Sequence, residues 1–188
     1  MSVLPAAFYD RPVVEVAHDL VGCTVTHGGC AGVIVETEAY HESEPACHAH
    51  VGLTGRTHIL FGPPARAYVY RSYGIHALFN AVTEAEGVGA AVLIRALEPI
   101  EGIEHMVAHR PDSRLVDLAR GPGRVCAALD LGREFSGADL TTHPALWLEH
   151  MPGQRAVIQV TTRIGLSRDQ HRRLRFVERG SPFVSVPP

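Results

Sequence analysis

Val33-Ile34-Val35-Glu36-Thr37-Glu38-Ala39-Tyr40 is the stretch whose reading decides the fold. Strict alternation along a strand puts Ile34, Glu36, Glu38 and Tyr40 on one side, so an apolar anchor, two carboxylates and a ring share a face. That face is too acidic for ordinary core. After the apolar run Val33 to Val35, it fits a strand that leaves the core and enters a cleft; a solvated edge strand is the plainer reading of the same residues. Just upstream, Cys23 to Thr26 also reads as a strand. Gly28-Gly29 would turn it into Ala31 to Tyr40, giving a hairpin that carries the acidic face.

Working outward, Pro12 to Leu20 has the spacing of a short amphipathic helix, with Val13, Val16, Ala17 and Leu20 on one side and Gly22 as its stop. Residues 41–66 are rich in Gly, Pro, His and Thr and lack periodicity, the kind of long irregular segment that often carries function. Ala67 to Tyr73 and Ala77 to Thr83 alternate as strands joined at Gly74, and Gly89 to Ala96 is a fully apolar strand. Glu98 to Ala108 and Gly123 to Leu129 are expected to be helices, and Ala156 to Thr162 and Leu174 to Val177 late strands. There is no internal repeat, low-complexity tract or linker-like shift in composition. A chain of 188 residues with 46% hydrophobic content then reads as one mixed domain of helices and strands, residues 1–188.

Composition excludes several chemistries. No stretch of 18 apolar residues occurs, and Met1-Ser2-Val3-Leu4-Pro5 lacks the charged and apolar regions of an export signal, so a cytoplasmic protein without a membrane segment is expected. Cys23, Cys30, Cys47 and Cys126 form no paired metal-ligand spacing. All 17 basic residues are arginine. Without lysine, neither a lysine Schiff base nor a phosphate-loop lysine can operate. The net charge of -3 hides segregation along the chain: residues 1–44 sum to -6, 45–83 to +3, 84–152 to -5 and 153–188 to +5. A fold that joins the two basic segments would present a face suited to phosphates, and solvated arginines are the bland alternative.

Four candidate sites stand out. Cys47-His48-Ala49-His50, with His41 and Glu42 upstream, offers zinc ligands at short spacing, but no second His/Cys pair completes the set. Tyr68, Tyr70, Tyr73 and Phe79 crowd an acid-free segment. Core packing explains Tyr68 and Phe79, whereas Tyr70 and Tyr73 beside Arg71 suit base stacking and phosphate contact. Asn80, the sole asparagine, sits in an apolar strand as a satisfied buried amide or a specificity element. Arg95 is a lone charge in the apolar run from Ala90 to Leu97, where burial demands a partner such as Glu38 or a phosphate.

The ordered segments Val33 to Tyr40, Phe61-Gly-Pro-Pro64, Ala67 to Tyr70, Tyr73-Gly74, Asn80, Leu93 to Pro99, Gly121-Pro122, Arg163-Ile-Gly165 and Arg175-Phe176 resemble the alkyladenine (3-methyladenine) DNA glycosylases. The resemblance runs from about residue 5 to 186. It implies an α+β fold, a single compact domain with a curved antiparallel sheet flanked by helices and no helix-hairpin-helix. It also implies a cofactor-free and metal-free monomer that flips alkylated purines such as 3-methyladenine and 7-methylguanine, and deaminated ones such as hypoxanthine, from double-stranded DNA and hydrolyses the glycosidic bond. By position, Glu38 matches the base that activates water. Arg95 and the Ile164 carbonyl match the groups that hold that water. Tyr40, His48 and Tyr70 match the walls of the base pocket, and Asn80 matches the residue that crowds the amine of normal guanine. Tyr73 matches the side chain that fills the gap in the duplex, with Arg71, Gly74 and Ile75 beside it on the DNA. Glu36, on the same expected face, is the rival for the base role. The absence of lysine makes the implied enzyme monofunctional, leaving the strand uncut. A zinc hydrolase using Cys47, His48 and His50, or a non-catalytic nucleic-acid binder, are the other classes the residues allow.

Overall fold

The computed structural model describes residues 2–151 and 156–188. In chain order the elements are β1 (Ser2–Val3), α1 (Ala6–Tyr9), α2 (Val13–Asp19), β2 (Thr24–His27), β3 (Cys30–His41), β4 (Ala67–Ser72), β5 (His76–Val82), β6 (Ala90–Glu101), α3 (Ile103–His109), α4 (Pro122–Leu129), β7 (Leu146–His150), β8 (Ile158–Thr161) and β9 (Arg175–Glu178), with short 3₁₀ turns between them. The strands form a single antiparallel sheet in the order β1-β7-β2-β3-β6-β5-β4. The fold is α+β with a curved antiparallel sheet, as expected.

β3 is the spine. Its first residues pair with β2, its whole length with β6, and at Glu36 to Glu38, beyond the end of β2, β9 takes the free edge and brings β8 with it. The helices cover one face. α2 lies on β3, and α4 packs on β5 and β6. α4 begins with Pro122 at its first turn, where a missing N–H costs nothing, and turns Val125, Cys126, Ala128 and Leu129 inward. Ile34, Phe79, Ile94, Leu97, Met106 and Leu129 meet in the main core. Each such fully buried side chain contributes about 1.5–3 kcal/mol.

Two expectations are corrected here. First, the acidic face is not built by strict alternation. Ile34 pairs with Leu97, Glu36 with Ala96 and Thr37 with Ile94, so Val35 and Arg95 stand outside the ladder and the strands are bulged. An extra residue reverses the side-chain parity beyond it. Ile34 stays in the main core, while Val35 joins Ala96, Val177 and Val184 on the opposite side. Thr37 and Ala39 return to the helix side, where the Thr37 hydroxyl donates to the Ala17 carbonyl at 2.6 Å. Ile34 therefore does not share a face with Glu36, Glu38 and Tyr40. Nor is that face open. Glu36 and Glu38 are both fully enclosed.

Second, Glu98 to Glu101 are strand, not helix. They continue β6 because Ala31 to Val33 of β3 offer a ladder as far as Glu101. The helix starts only after Gly102, whose φ of 64° suits glycine. β1, α1 and β7 were not anticipated. β7 closes the sheet against β2, with Leu146 and Leu148 buried.

Candidate active site

Four strands and two loops meet at a cavity of about 120 Å³. Tyr40 comes from the end of β3, Tyr70 from β4, Asn80 from β5 and Ala91 from β6; Ala46, Cys47, His48 and Leu60 come from the 41–66 segment, and Leu166 from the loop between β8 and β9. The irregular segment is thus the wall of a pocket. Its own turns are fixed by hydrogen bonds that replace a ladder: the Thr57 hydroxyl donates to the Gly52 carbonyl at 2.7 Å and accepts from the Thr54 N–H at 2.8 Å. Gly89 lets it settle on β6. A Cβ at that position would stand 2.5 Å from the Ala49 Cβ and 2.8 Å from the Phe61 ring.

The rings are arranged as walls. The Tyr68 and Tyr70 rings stack at 5.4 Å, and His48 meets Tyr70 edge-on at 4.5 Å. His48 Nδ1 lies 3.2 Å from the Tyr68 hydroxyl, and its Nε2 lies 3.4 Å from an Arg56 guanidinium nitrogen. Burial, and then the Arg56 charge, hold the His48 ring below its ordinary value and hence neutral. Burial, reinforced by Tyr68, pushes Tyr70 up to about 12. Asn80 is 5% exposed, and its amide donates to the Tyr68 carbonyl at 3.1 Å, so it is a buried amide satisfied at its nitrogen and also a lining residue of the cavity.

Behind Tyr40 lies a charged cluster. The Tyr40 hydroxyl donates to Glu38 Oε2 at 2.8 Å, Arg95 Nη1 donates to the same oxygen at 3.1 Å, and the Ile164 N–H donates to Oε1 at 2.8 Å. Burial pushes the Glu38 carboxyl above its ordinary value, against the pull of Arg95, Ile164 and Tyr40. Arg95 also donates Nε to Glu36 Oε1 at 2.9 Å. Burial opposes its charge, but the two carboxylates outweigh it and raise the guanidinium further. Glu36 is taken up entirely by structure: Arg95, Arg175 Nε at 2.7 Å, and both the N–H and the hydroxyl of Ser185 converge on it. The partner that burial demanded for Arg95 is therefore a pair of carboxylates. Both are needed.

Tyr73 is set apart from this pocket. It stands at the tip of the β4–β5 hairpin with a φ of 51°, followed by Gly74 at 72°. Tyr73 is 93% exposed and Ile75 74% exposed. A bulky residue in left-handed backbone is strained, and such strain gathers at functional positions. Arg71 is exposed on the same hairpin. The Cys47-His48-Ala49-His50 turn places its rings on separate partners, with His50 Nδ1 2.9 Å from the Glu42 carbonyl. Among the described residues no group of three His, Cys, Asp or Glu is placed to share an ion. Arg163, Glu44, Arg175, Ser185 and Leu166 complete the site; Arg163 and Arg175 stand in the segments that carry the resemblance but received no role there, and Glu44, Ser185 and Leu166 escaped the reading of the sequence.

The family model of methylpurine-DNA glycosylase matches residues 7–182. The chain belongs to that family. Curated relatives carry the name "Putative 3-methyladenine DNA glycosylase". The one from Rubrobacter xylanophilus is 49% identical over 174 residues, covering 90% of this chain and 90% of the relative. That from Methanocella arvoryzae is 45% identical over 98% of this chain and 96% of its own length, and that from Granulibacter bethesdensis 48% identical over 97% and 87%. A methylpurine-DNA glycosylase hydrolyses N-glycosyl bonds, and this enzyme is of that class. Among the described residues no helix is long and apolar enough to cross a membrane.

Proposed function

We propose that this chain acts in the cytoplasm as a monomer of one domain, residues 1–188, that excises alkylated purines and hypoxanthine from duplex DNA without cutting the strand. The observation that carries the mechanism is the enclosed Glu38 carboxylate with three donors on it. A carboxylate has about four lone-pair sites. With two donors on Oε2 and one on Oε1, a single site remains to take a proton from water as that water bonds to the anomeric carbon and the purine departs. The charge of Glu38 also favours the oxocarbenium-like sugar.

Arg95 keeps Glu38 oriented and, with the Ile164 carbonyl, steadies the water. Tyr40, His48 and Tyr70 receive the flipped base between rings, and Asn80 crowds the exocyclic amine of guanine so that the normal base is refused. Tyr73 occupies the gap in the duplex, supported by Arg71, Gly74 and Ile75. With no lysine in the chain, no imine forms with the sugar and the abasic strand stays intact.

The test is base release from methylated duplex DNA and from a duplex with one hypoxanthine, in EDTA, by wild type and Glu38→Gln. Wild type alone should release base and leave alkali-sensitive, uncut strands. Release by Glu38→Gln at the wild-type rate would remove Glu38 from the reaction, and loss of the wild-type activity in EDTA would point to a metal.

A further inference from the structure

Two loops that close the cavity are fastened to each other by a buried ion pair to which nothing above assigns a function. Glu44 stands just before the lining residues Ala46 to His48, and Arg163 stands just before Ile164 and the lining residue Leu166. Arg163 Nη2 donates to Glu44 Oε2 at 2.6 Å, with the Arg163 side chain fully enclosed and that of Glu44 5% exposed. Arg172 reaches the same oxygen at 3.3 Å, and the Ala46 N–H donates to Asp169 Oδ2 at 3.2 Å.

The guanidinium does two further things. Its Nη1 donates to the Ala39 carbonyl at 2.8 Å, and its carbon lies 4.6 Å over the Tyr40 ring, against the wall that receives the base. Its Nε is buried without a hydrogen-bond partner. Burying a charge pair gains little stability over apolar residues of the same size, and an unpaired N–H adds a cost. Stability alone is a poor reason for this pair. Geometry is a better one, because the next residue along from Arg163 is Ile164, whose N–H sits on Glu38 Oε1.

We propose that Arg163, held by Glu44, is a positioning residue that fixes the Tyr40 wall and the Ile164 N–H that orients Glu38. This rests on the reading of Glu38 as the base. Displacing an orienting group by about 1 Å costs on the order of 100-fold in rate. Losing an N–H from a carboxylate also makes it easier to protonate. The other titratable and charged groups that face Glu38 are Arg95 from β6, Glu36 and Tyr40 from β3, and Tyr70 across the cavity, with Arg175 of β9 bound to Glu36.

The experiment is single-turnover release of 3-methyladenine from methylated duplex DNA, from pH 5 to 9, by wild type, Arg163→Gln, Arg163→Lys, Glu44→Gln and Glu38→Gln. Arg163→Gln should lose at least about tenfold at neutral pH and move its acid limb upward by about one pH unit. Arg163→Lys should recover part of both, and Glu44→Gln should shift the limb the same way by less. A folded Arg163→Gln with a wild-type acid limb overturns the proposal, and so, should that variant not fold, does a wild-type limb in both Arg163→Lys and Glu44→Gln. If Glu38→Gln is as active as wild type, the reading of Glu38 falls first. If Glu38→Gln is inactive and the limbs coincide, only the positioning role falls.

Discussion

Glu36 and Glu38 are two residues apart on one strand and equally enclosed, yet their surroundings predict opposite outcomes for the same substitution. Glu36→Gln removes the charge that Arg175 and Arg95 share, leaving an amide NH₂ facing donors. Breaking a buried pair from one side costs about 3–5 kcal/mol, a large part of the roughly 5–15 kcal/mol by which a domain is stable. With a urea slope of about 2 kcal/mol/M, the midpoint should fall by roughly 2 M. Trp147, the single tryptophan, is half-buried on β7 and gives the fluorescence signal. On the proposed mechanism, in which Glu38 takes the proton from water, the protein that remains folded should still release base. Glu38→Gln should behave the other way, abolishing release while Arg95 keeps Glu36 as its partner. A drop of less than about 0.5 M for Glu36→Gln would refute the structural reading. A folded Glu36→Gln as inactive as Glu38→Gln would make Glu36 a participant in the chemistry.

Two more outcomes test the site from other directions. Tyr73→Gly relieves a left-handed backbone that costs a bulky residue about 1–2 kcal/mol, against about 0.5–1 kcal/mol of extra unfolded-chain freedom for glycine; thermal melts should show no loss of stability, while release from duplex DNA falls at least tenfold. A loss of stability with unchanged release would contradict it. The Glu38 carboxyl lies above its ordinary 4.5 in the folded protein, so the folded state binds the proton more tightly than the unfolded chain. The stability this contributes is present below 4.5 and is lost as pH rises through the folded value. The melting temperature of wild type minus that of Glu38→Gln should therefore grow as pH falls from 7.5 toward 5, and a constant or shrinking difference would sink the assignment.

The parts of the fold that could be read from the sequence are those written locally. The β2–β3 hairpin announces itself in Gly28-Gly29, and α2 in the spacing of Val13, Val16 and Ala17. The bulge between β3 and β6 does not, since Val35 and Arg95 are ordinary strand residues whose displacement is decided only when two ladders twelve residues long are laid together. The same pairing turned Glu98 to Glu101, expected as the start of a helix, into strand. β7 did carry a signal, in the alternation of Leu146 and Leu148 around Trp147, and a reading weighted toward short strands would have found it.

Charge shows most clearly why the site was only half legible. Its segregation along the chain left open whether the two basic segments share a face for phosphates or are merely solvated; the two segments touch where Leu166 and Tyr70 line one cavity. Yet Arg163, Arg172 and Arg175 of the last segment are matched to Glu44 and Glu36 of the first, across 119 positions in the case of Arg163 and Glu44. Nothing near either residue names its partner. The acidic and basic ends of the sequence thus neutralise each other in and beside the pocket, where low dielectric makes each pairing directional. The outward-facing positive charge beside the tyrosines is narrower than the totals implied: Arg56, Arg71 and Arg133, all exposed, line one cleft with Tyr68 and Tyr70. A chain of net charge -3 can therefore offer phosphates a local basic cleft, while Arg163, Arg172 and Arg175 are paired with carboxylates in and beside the pocket.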